Sequence, residues 1–141
     1  MLRNRLSVAL CALLVSAPAG ADEAYRIVVN PGNPAVTVDR AEMARLFMKK
    51  IPAWPNGTPV AVVDQPRTAA VRASFSKDVH KKDADSVAAY WATQVYSGRD
   101  VPPPVKRSDD EVLEFVRQTP GGVGYVSVDA SLRGVKVVAL R

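Results

Sequence analysis

Hydrophobic residues along this chain fall into two patterns, short β-branched runs and longer stretches with helical spacing. The short runs predict strands at residues 25–30, 60–63, 123–128 and 135–140. The helical spacing predicts helices that begin near Asp39, Pro66, Asp83 or Asp85, and Ser108. Because strands and helices alternate, we expect an α/β fold with a mixed sheet flanked by helices. The pattern leaves the order of the strands open.

Polar residues at the predicted helix starts indicate how the helices are capped. Asp39 with Glu42, and Ser108 with Glu111, have the spacing of a capping box. The acidic residues after Ser108 also complement the helix dipole, which explains them without catalytic chemistry. One apolar stripe on the third helix recurs at helical spacing and is interpreted as core packing: Val87, Tyr90, Trp91 and Val95.

The segment 118–126 connects the fourth helix to the strand that follows it. Pro120 ends the helix because it lacks an amide donor. Gly121, Gly122 and Gly124 are expected to adopt backbone angles that side chains forbid. Ligands of open α/β sheets bind near the sheet edges that such turns define. The turn is therefore either a structural connection or one wall of a site.

The first residues have the composition of a signal peptide. Arg3 and Arg5 precede an apolar run at residues 6–15, and small residues follow at 19–21. We expect residues 1–21 to be removed and residues 22–141 to form a single exported, periplasmic domain; a retained membrane anchor is the alternative. The chain has one cysteine, Cys11, which lies inside the apolar run. The mature domain would therefore fold without a disulfide.

Charge and residue content exclude several function classes. The chain carries 19 basic and 14 acidic residues, but no basic stripe is interleaved with aromatic residues, so we expect no nucleic-acid partner. His80 is the only histidine and has no carboxylate or cysteine cluster beside it, which argues against a zinc site. Ser76, four residues before His80, is interpreted as its solvated neighbour. We expect no catalytic residues, no metal and no cofactor.

Four segments in this order resemble the phosphate-binding proteins of ABC uptake systems, and in particular their short single-lobe relatives. The segments are residues 28–31, residues 45–57 with Phe47, Lys49, Lys50 and Trp54, residues 71–75, and residues 119–126. The resemblance spans nearly all of residues 22–141. It implies one lobe of a type II periplasmic binding protein-like fold, a non-enzymatic function, and phosphate or another small oxyanion as the ligand. A membrane would be reached only through a transporter or sensor partner.

The resemblance also implies the position of an anion site. The family binds its anion with a Ser-Gly-Thr-Arg run at a helix start, and this chain has Ala69, Ala70, Val71 and Arg72 there. The implied ligand-binding residues are Arg67, Thr68, Ala69, Ala70 and Arg72, with Thr119, Gly121 and Gly122 as the neighbouring wall. Without the hydroxyls, the glycine and a second lobe, we expect millimolar binding at best. Asp64 is an alternative cap for the same amides and would repel an anion.

A second interpretation is a domain that has kept the fold and lost the ligand. It would act in the periplasm as an accessory or protein-interaction element, and a partner protein or a second copy would cover the edge that a second lobe leaves open. The proline run at residues 102–104 and the loop around Trp54 are candidate contact points. A third interpretation is an enzyme, which would need a perturbed carboxylate or histidine in a cleft.

Overall fold

The computed structural model describes residues 24–141, so the predicted signal peptide lies outside the described residues. The strands are β1 (Arg26–Val29), β2 (Thr37–Val38), β3 (Ala61–Val62), β4 (Gly122–Val126) and β5 (Lys136–Leu140). The α-helices are α1 (Arg40–Phe47), α2 (Ala70–Phe75), α3 (Ala84–Tyr96) and α4 (Asp109–Gln118), and a π-helical turn, Ser76–His80, continues directly from α2.

One mixed sheet organises the described part of the chain. Its strand order is β2-β5-β1-β4-β3. The central strand β1 is antiparallel to both β4 and β5, whereas β3 runs parallel to β4 and β2 runs parallel to β5. The mixed sheet of the predicted α/β fold is thereby confirmed. Strand β2, in which only Thr37 and Val38 pair with β5, was not predicted from the sequence.

The sheet is covered on both faces, which follows from the alternation of side chains along β1. Ile27 and Val29 join a core with α1, α2 and the π-helical turn, whereas Val28 points the opposite way into a core with α4. On the first face the rings of Phe75 and Tyr125 stack in parallel, with centroids 4.0 Å apart. This stack holds the Tyr125 ring beside the end of β3.

The observed caps of the helices agree only in part with those predicted from the sequence. Asp83 accepts a hydrogen bond from the Ser86 amide at 2.7 Å, and Ser108 accepts one from the Glu111 amide at 3.2 Å. Asp39 was expected to cap α1, but its carboxylate accepts from Arg141 Nε at 2.5 Å and makes no cap hydrogen bond. The C-terminal arginine competes with the helix amides for that carboxylate because it is charged.

The glycines of the closing turn were expected to supply unusual backbone angles, and this reason for their presence was wrong. The glycines with left-handed backbone among the described residues are Gly57, Gly98 and Gly134. Gly121 is required instead by close approach, since a Cβ there would lie 1.6 Å from the carbonyl oxygen of Pro59. A Cβ on Gly124 would lie 2.7 Å from the side chain of Val112 and 2.8 Å from that of Val63. These glycines let neighbouring segments touch the sheet.

Candidate functional site

A buried polar cluster lies where β3 and β4 end. Asp64 and Gln65 follow β3 directly, Tyr125 belongs to β4, and Arg72 reaches the cluster from α2. The strands are parallel, so their carboxyl ends meet at one edge of the sheet. All four residues are buried. We call Asp64, Gln65, Arg72 and Tyr125 the strand-end cluster.

Asp64 is the acceptor at the centre of this cluster. Its Oδ1 accepts from Arg72 Nη1 at 3.0 Å, from the Gln65 amide at 2.9 Å, and from the Tyr125 hydroxyl in a short hydrogen bond. Burial raises the pKa of Asp64, and Arg72, Tyr125 and Gln65 oppose the rise. Burial and the neighbouring carboxylate raise the pKa of the Tyr125 hydroxyl, so it remains a donor. Asp64 and Arg72 thus form a buried ion pair that is stabilised by the neighbouring hydrogen-bond donors.

Arg72 keeps unused hydrogen-bond donors. Its two described contacts, to Asp64 Oδ1 and to the Gln65 carbonyl oxygen at 2.9 Å, both go through Nη1. Its Nε is buried and has no hydrogen-bond partner among the residues that the structure describes. A guanidinium has five N–H donors in a fixed fork. Because Nε is enclosed by the protein, a further acceptor would bind Arg72 through the remaining nitrogen, Nη2.

Gln65 fastens the cluster to the second face of the sheet. Its side-chain amide donates to the Tyr125 carbonyl oxygen at 3.0 Å and to Asp109 Oδ1 at 2.8 Å. Asp109 also accepts from the Ser127 amide at 3.2 Å. The acidic start of α4 therefore does more than complement a helix dipole, because Asp109 anchors the loop after β4 and the cluster together.

A cavity of about 630 Å³ opens beside the cluster. Asp64 and Arg72 are its buried charged residues, one face of α3 forms one wall, and Pro102, Pro103 and Val105 of the extended segment 102–105 form another. That segment is held in place through Asp64, whose amide donates to the Pro104 carbonyl oxygen at 2.8 Å and whose carbonyl accepts from the Lys106 amide at 2.9 Å. The same residue thus binds Arg72 with its side chain and one cavity wall with its backbone.

The structure brings together only part of the predicted anion site. Arg72 and Arg67 line the cavity, whereas Thr68, Ala69 and Ala70 lie outside its lining. Arg67 is exposed and pairs with Asp85, with 3.4 Å between Arg67 Nε and Asp85 Oδ1. Pro66 was predicted to open α2, but the Ala69 amide donates to the Pro66 carbonyl oxygen and the helix begins at Ala70. The proline begins a turn that precedes the helix.

Thr119, Gly121 and Gly122 lie at the other end of β4 from the cluster. Gly122 is paired with Ala61 at the start of β3, three residues, or about 10 Å, before Tyr125. The Gly121 carbonyl oxygen accepts from Trp54 Nε1 at 3.0 Å and from the Ala61 amide at 3.0 Å. The closing turn therefore does not form the neighbouring wall of the Arg72 site.

The α3 stripe was only partly assigned correctly. Val87 and Trp91 are buried, as core packing requires, but Val95 is 52% exposed and Tyr96, just beyond the stripe, is 95% exposed. Trp91, Val95 and Tyr96 line the cavity. Periodicity identified the apolar face of α3 correctly, but it could not show that residues 24–141 leave the end of that face uncovered.

The two candidate contact points differ in their surroundings. Trp54 is buried, and its indole N–H is already bonded to Gly121. The proline run lies at the cavity, with Pro102 exposed and Pro103 buried. Of the two, the proline run is the one that a ligand or partner can reach.

Ser76 and His80 do not form the expected solvated pair. Both lie in the π-helical turn, and the buried Ser76 hydroxyl donates to the Lys82 carbonyl oxygen at 2.7 Å. His80 is partly buried, and its ring lies edge-on to Phe75 with centroids 5.5 Å apart. The serine therefore closes the turn and is not positioned as a nucleophile with a histidine base.

His80 makes stability depend on pH. Burial, Arg72 and Lys82 lower the pKa of His80 from 6.5 to about 4. Between these values the unfolded chain binds a proton that the folded chain does not, so stability is full above pH 6.5 and is lost as the pH falls. We expect the free energy of unfolding to drop by roughly 2 kcal/mol from about pH 7 to about pH 5, as measured by urea titration. His80→Gln should remove most of this drop; an unchanged drop in the variant would contradict the prediction.

Residues 24–141 contain neither a cluster of metal-binding side chains nor a membrane-spanning helix. No group of three or more histidine, cysteine, aspartate or glutamate side chains in this range could hold a metal ion. No helix within the same range is long and apolar enough to cross a bilayer.

The fold is shared with solved proteins of phosphate transport. No protein-family model matches the chain, and no curated protein matches it in sequence. An ABC-type phosphate transport receptor from Vibrio cholerae is similar with a TM-score of 0.65 and 21% identity, over 83% of this chain and 46% of that one. A Clostridium perfringens protein, described as a phosphate ABC transporter substrate-binding protein and solved with bound phosphate, is similar with a TM-score of 0.65 and 16% identity. The similarity covers 83% of this chain and 44% of that one.

A third neighbour is PstS from Borrelia burgdorferi, with a TM-score of 0.58 and 12% identity over 84% of this chain and 47% of that one. The chain thus spans less than half the length of each neighbour. At these identities the likeness establishes the fold. The described residues have the fold of one lobe of a substrate-binding protein, as the sequence predicted.

Proposed function

We propose that this chain is an exported, non-enzymatic binding module that takes phosphate or another small oxyanion at Arg72, with Arg67 at the rim. One observation carries the proposal: a buried arginine, whose hydrogen bonds within residues 24–141 all go through Nη1, lines an open cavity. Donors held in a fixed fork suit the oxygens of a phosphate or sulfate. Solved neighbours with this fold belong to phosphate transport, which supports the ligand class.

The binding should be weak, because the arginine is already paired. Asp64 neutralises Arg72 at 3.0 Å, so an anion meets a paired charge and a nearby carboxylate. We therefore place the dissociation constant in the range of about 1 mM. Export rests on the composition of residues 1–21.

Calorimetric titration of the purified protein with phosphate and with sulfate tests the proposal. We expect saturable heat at about millimolar ligand, and Asp64→Asn should tighten phosphate binding by about tenfold because it removes the opposing charge while Asn keeps an acceptor oxygen. Asp129→Asn is the matched control, since Asp129 is exposed in the loop after β4 and does not line the cavity. If neither wild type nor Asp64→Asn gives heat, the protein does not bind these oxyanions and the proposal is wrong.

A second candidate, a protein-interaction element, is favoured by one observation. Exposed apolar side chains gather around the mouth of the cavity, and among them Tyr96 is 95% exposed. Val95, Val101 and Val105 are each more than half exposed nearby in the chain. Contiguous exposed apolar surface is typical of binding sites for proteins or ligands. This surface distinguishes the cavity from an ordinary polar anion site.

A further inference from the structure

The cavity is lined mostly by apolar side chains, which do not match an inorganic oxyanion alone. Apart from Asp64, Arg67 and Arg72, the lining is alanine, valine, proline and aromatic side chains. The main contributors are Trp91, Val95, Tyr96, Pro102, Pro103 and Val105. A hydrated phosphate ion gains nothing from such surface, whereas an apolar group is stabilised by each part of it that leaves water. The polar and apolar parts of the site therefore select different parts of one ligand.

We propose that the cavity binds an organic anion, in which an apolar or aromatic body lies between α3 and the proline wall and a phosphate or carboxylate group reaches Arg72. This inference rests on the proposed function and specifies its ligand. The volume of about 630 Å³ falls within the range of about 300 to 1,000 Å³ that small-molecule pockets occupy. Inorganic phosphate would occupy only the part of it next to Arg72.

Charged and apolar side chains line the cavity at different degrees of burial. Asp64 and Arg72 are buried, whereas Val95, Tyr96, Val105 and the charged Arg67 are exposed. An organic anion whose charged group reaches Arg72 would place its apolar body among the valine, proline and aromatic side chains. Trp91 also lines the cavity, with 5% of its surface exposed, and a flat ring suits an aromatic or aliphatic body.

Three matched ligands separate the parts of the site: phenyl phosphate, inorganic phosphate and phenol. Calorimetry and quenching of tryptophan fluorescence measure the affinity of the whole protein for each ligand. We expect phenyl phosphate to bind about tenfold more tightly than inorganic phosphate, because the ring leaves water, and more tightly than phenol, which lacks the oxyanion. The inorganic phosphate titration reports on the proposed function by itself, so its failure is distinguishable from failure of the comparison.

Val95→Ser and Val36→Ser are a matched pair of variants. Both replace an exposed valine, but only Val95 lines the cavity. We expect Val95→Ser to weaken phenyl phosphate binding by about threefold or more and to leave inorganic phosphate binding unchanged, and Val36→Ser to change neither.

Three outcomes would overturn the inference. They are phenyl phosphate binding no tighter than inorganic phosphate, phenol binding as tightly as phenyl phosphate, and equal effects of the two variants. Light scattering completes the test: a dimer that dissociates in Val95→Ser and binds no phenyl phosphate would assign the cavity to a second copy of the chain.

Discussion

Replacing Asp64 by alanine is expected to lower the free energy of unfolding by about 3 to 5 kcal/mol. The change leaves Arg72 charged and buried, with its side chain only 7% exposed. It also removes the acceptor of the Tyr125 hydroxyl and one of the two acceptors of the Gln65 amide. A donor that loses its partner inside the protein keeps its full desolvation cost. Urea denaturation at neutral pH, followed by circular dichroism, measures the loss.

Two comparisons separate this effect from general damage. Replacing both charges by apolar residues, Asp64→Leu with Arg72→Met, should recover much of the loss, since no charge then remains buried. Asp85→Ala removes the partner of Arg67 in an ion pair that is largely exposed, and should have little measurable effect. A loss for Asp64→Ala no larger than that for Asp85→Ala would mean that the buried pair contributes nothing to stability.

Gly121→Ala is expected to destabilise the protein by about 3 kcal/mol or more. The new Cβ would lie 1.6 Å from the Pro59 carbonyl oxygen, and that neighbour is backbone, which cannot rotate away as a side chain can. Relief requires moving the Gly121 carbonyl that binds both Trp54 and Ala61. Thermal unfolding of the purified variant, or its failure to accumulate as folded protein, measures the effect.

Gly32→Ala is the control for this substitution. Its Cβ would come no nearer than 3.3 Å to the Asn30 side chain, and residue 32 lies in an exposed turn. We expect a change within about 0.5 kcal/mol. If both alanine variants unfold at the same temperature, the close approach of residues 59 and 121 does not constrain the fold.

The sequence predicted the elements that show a long period or a specific cap. Helix α4 carries its apolar face and its Ser108 cap as expected, β1 and β5 lie within their predicted runs, and β4 begins one residue before its run. The prediction from sequence failed where one local pattern is compatible with two different structures. Pro66 begins a turn rather than a helix, and Asp39 binds Arg141, which is distant in sequence. No local pattern identifies a partner that only folding brings near.

The candidate site was predicted less well for the same reason. Asp64 and Arg72 were both considered, but as a cap and an anion donor; their mutual pairing depends on where α2 lies relative to the end of β3. Tyr125 belongs to the motif 119–126, yet only parallel pairing with β3 places its hydroxyl at Asp64 and the glycines of the same motif at the opposite end. The direction of neighbouring strands thus decided which half of the motif reaches the cavity.

The position of β1 has a consequence for how the sheet forms during synthesis. Both of its neighbours, β4 and β5, lie roughly a hundred residues further along the sequence. The centre of the sheet therefore cannot assemble on a growing chain until β4 and β5 have been made. Contacts so distant in sequence slow folding, because a long loop must close before they form. A nascent chain of this topology thus remains without the centre of its sheet until residues 122–140 have been synthesised.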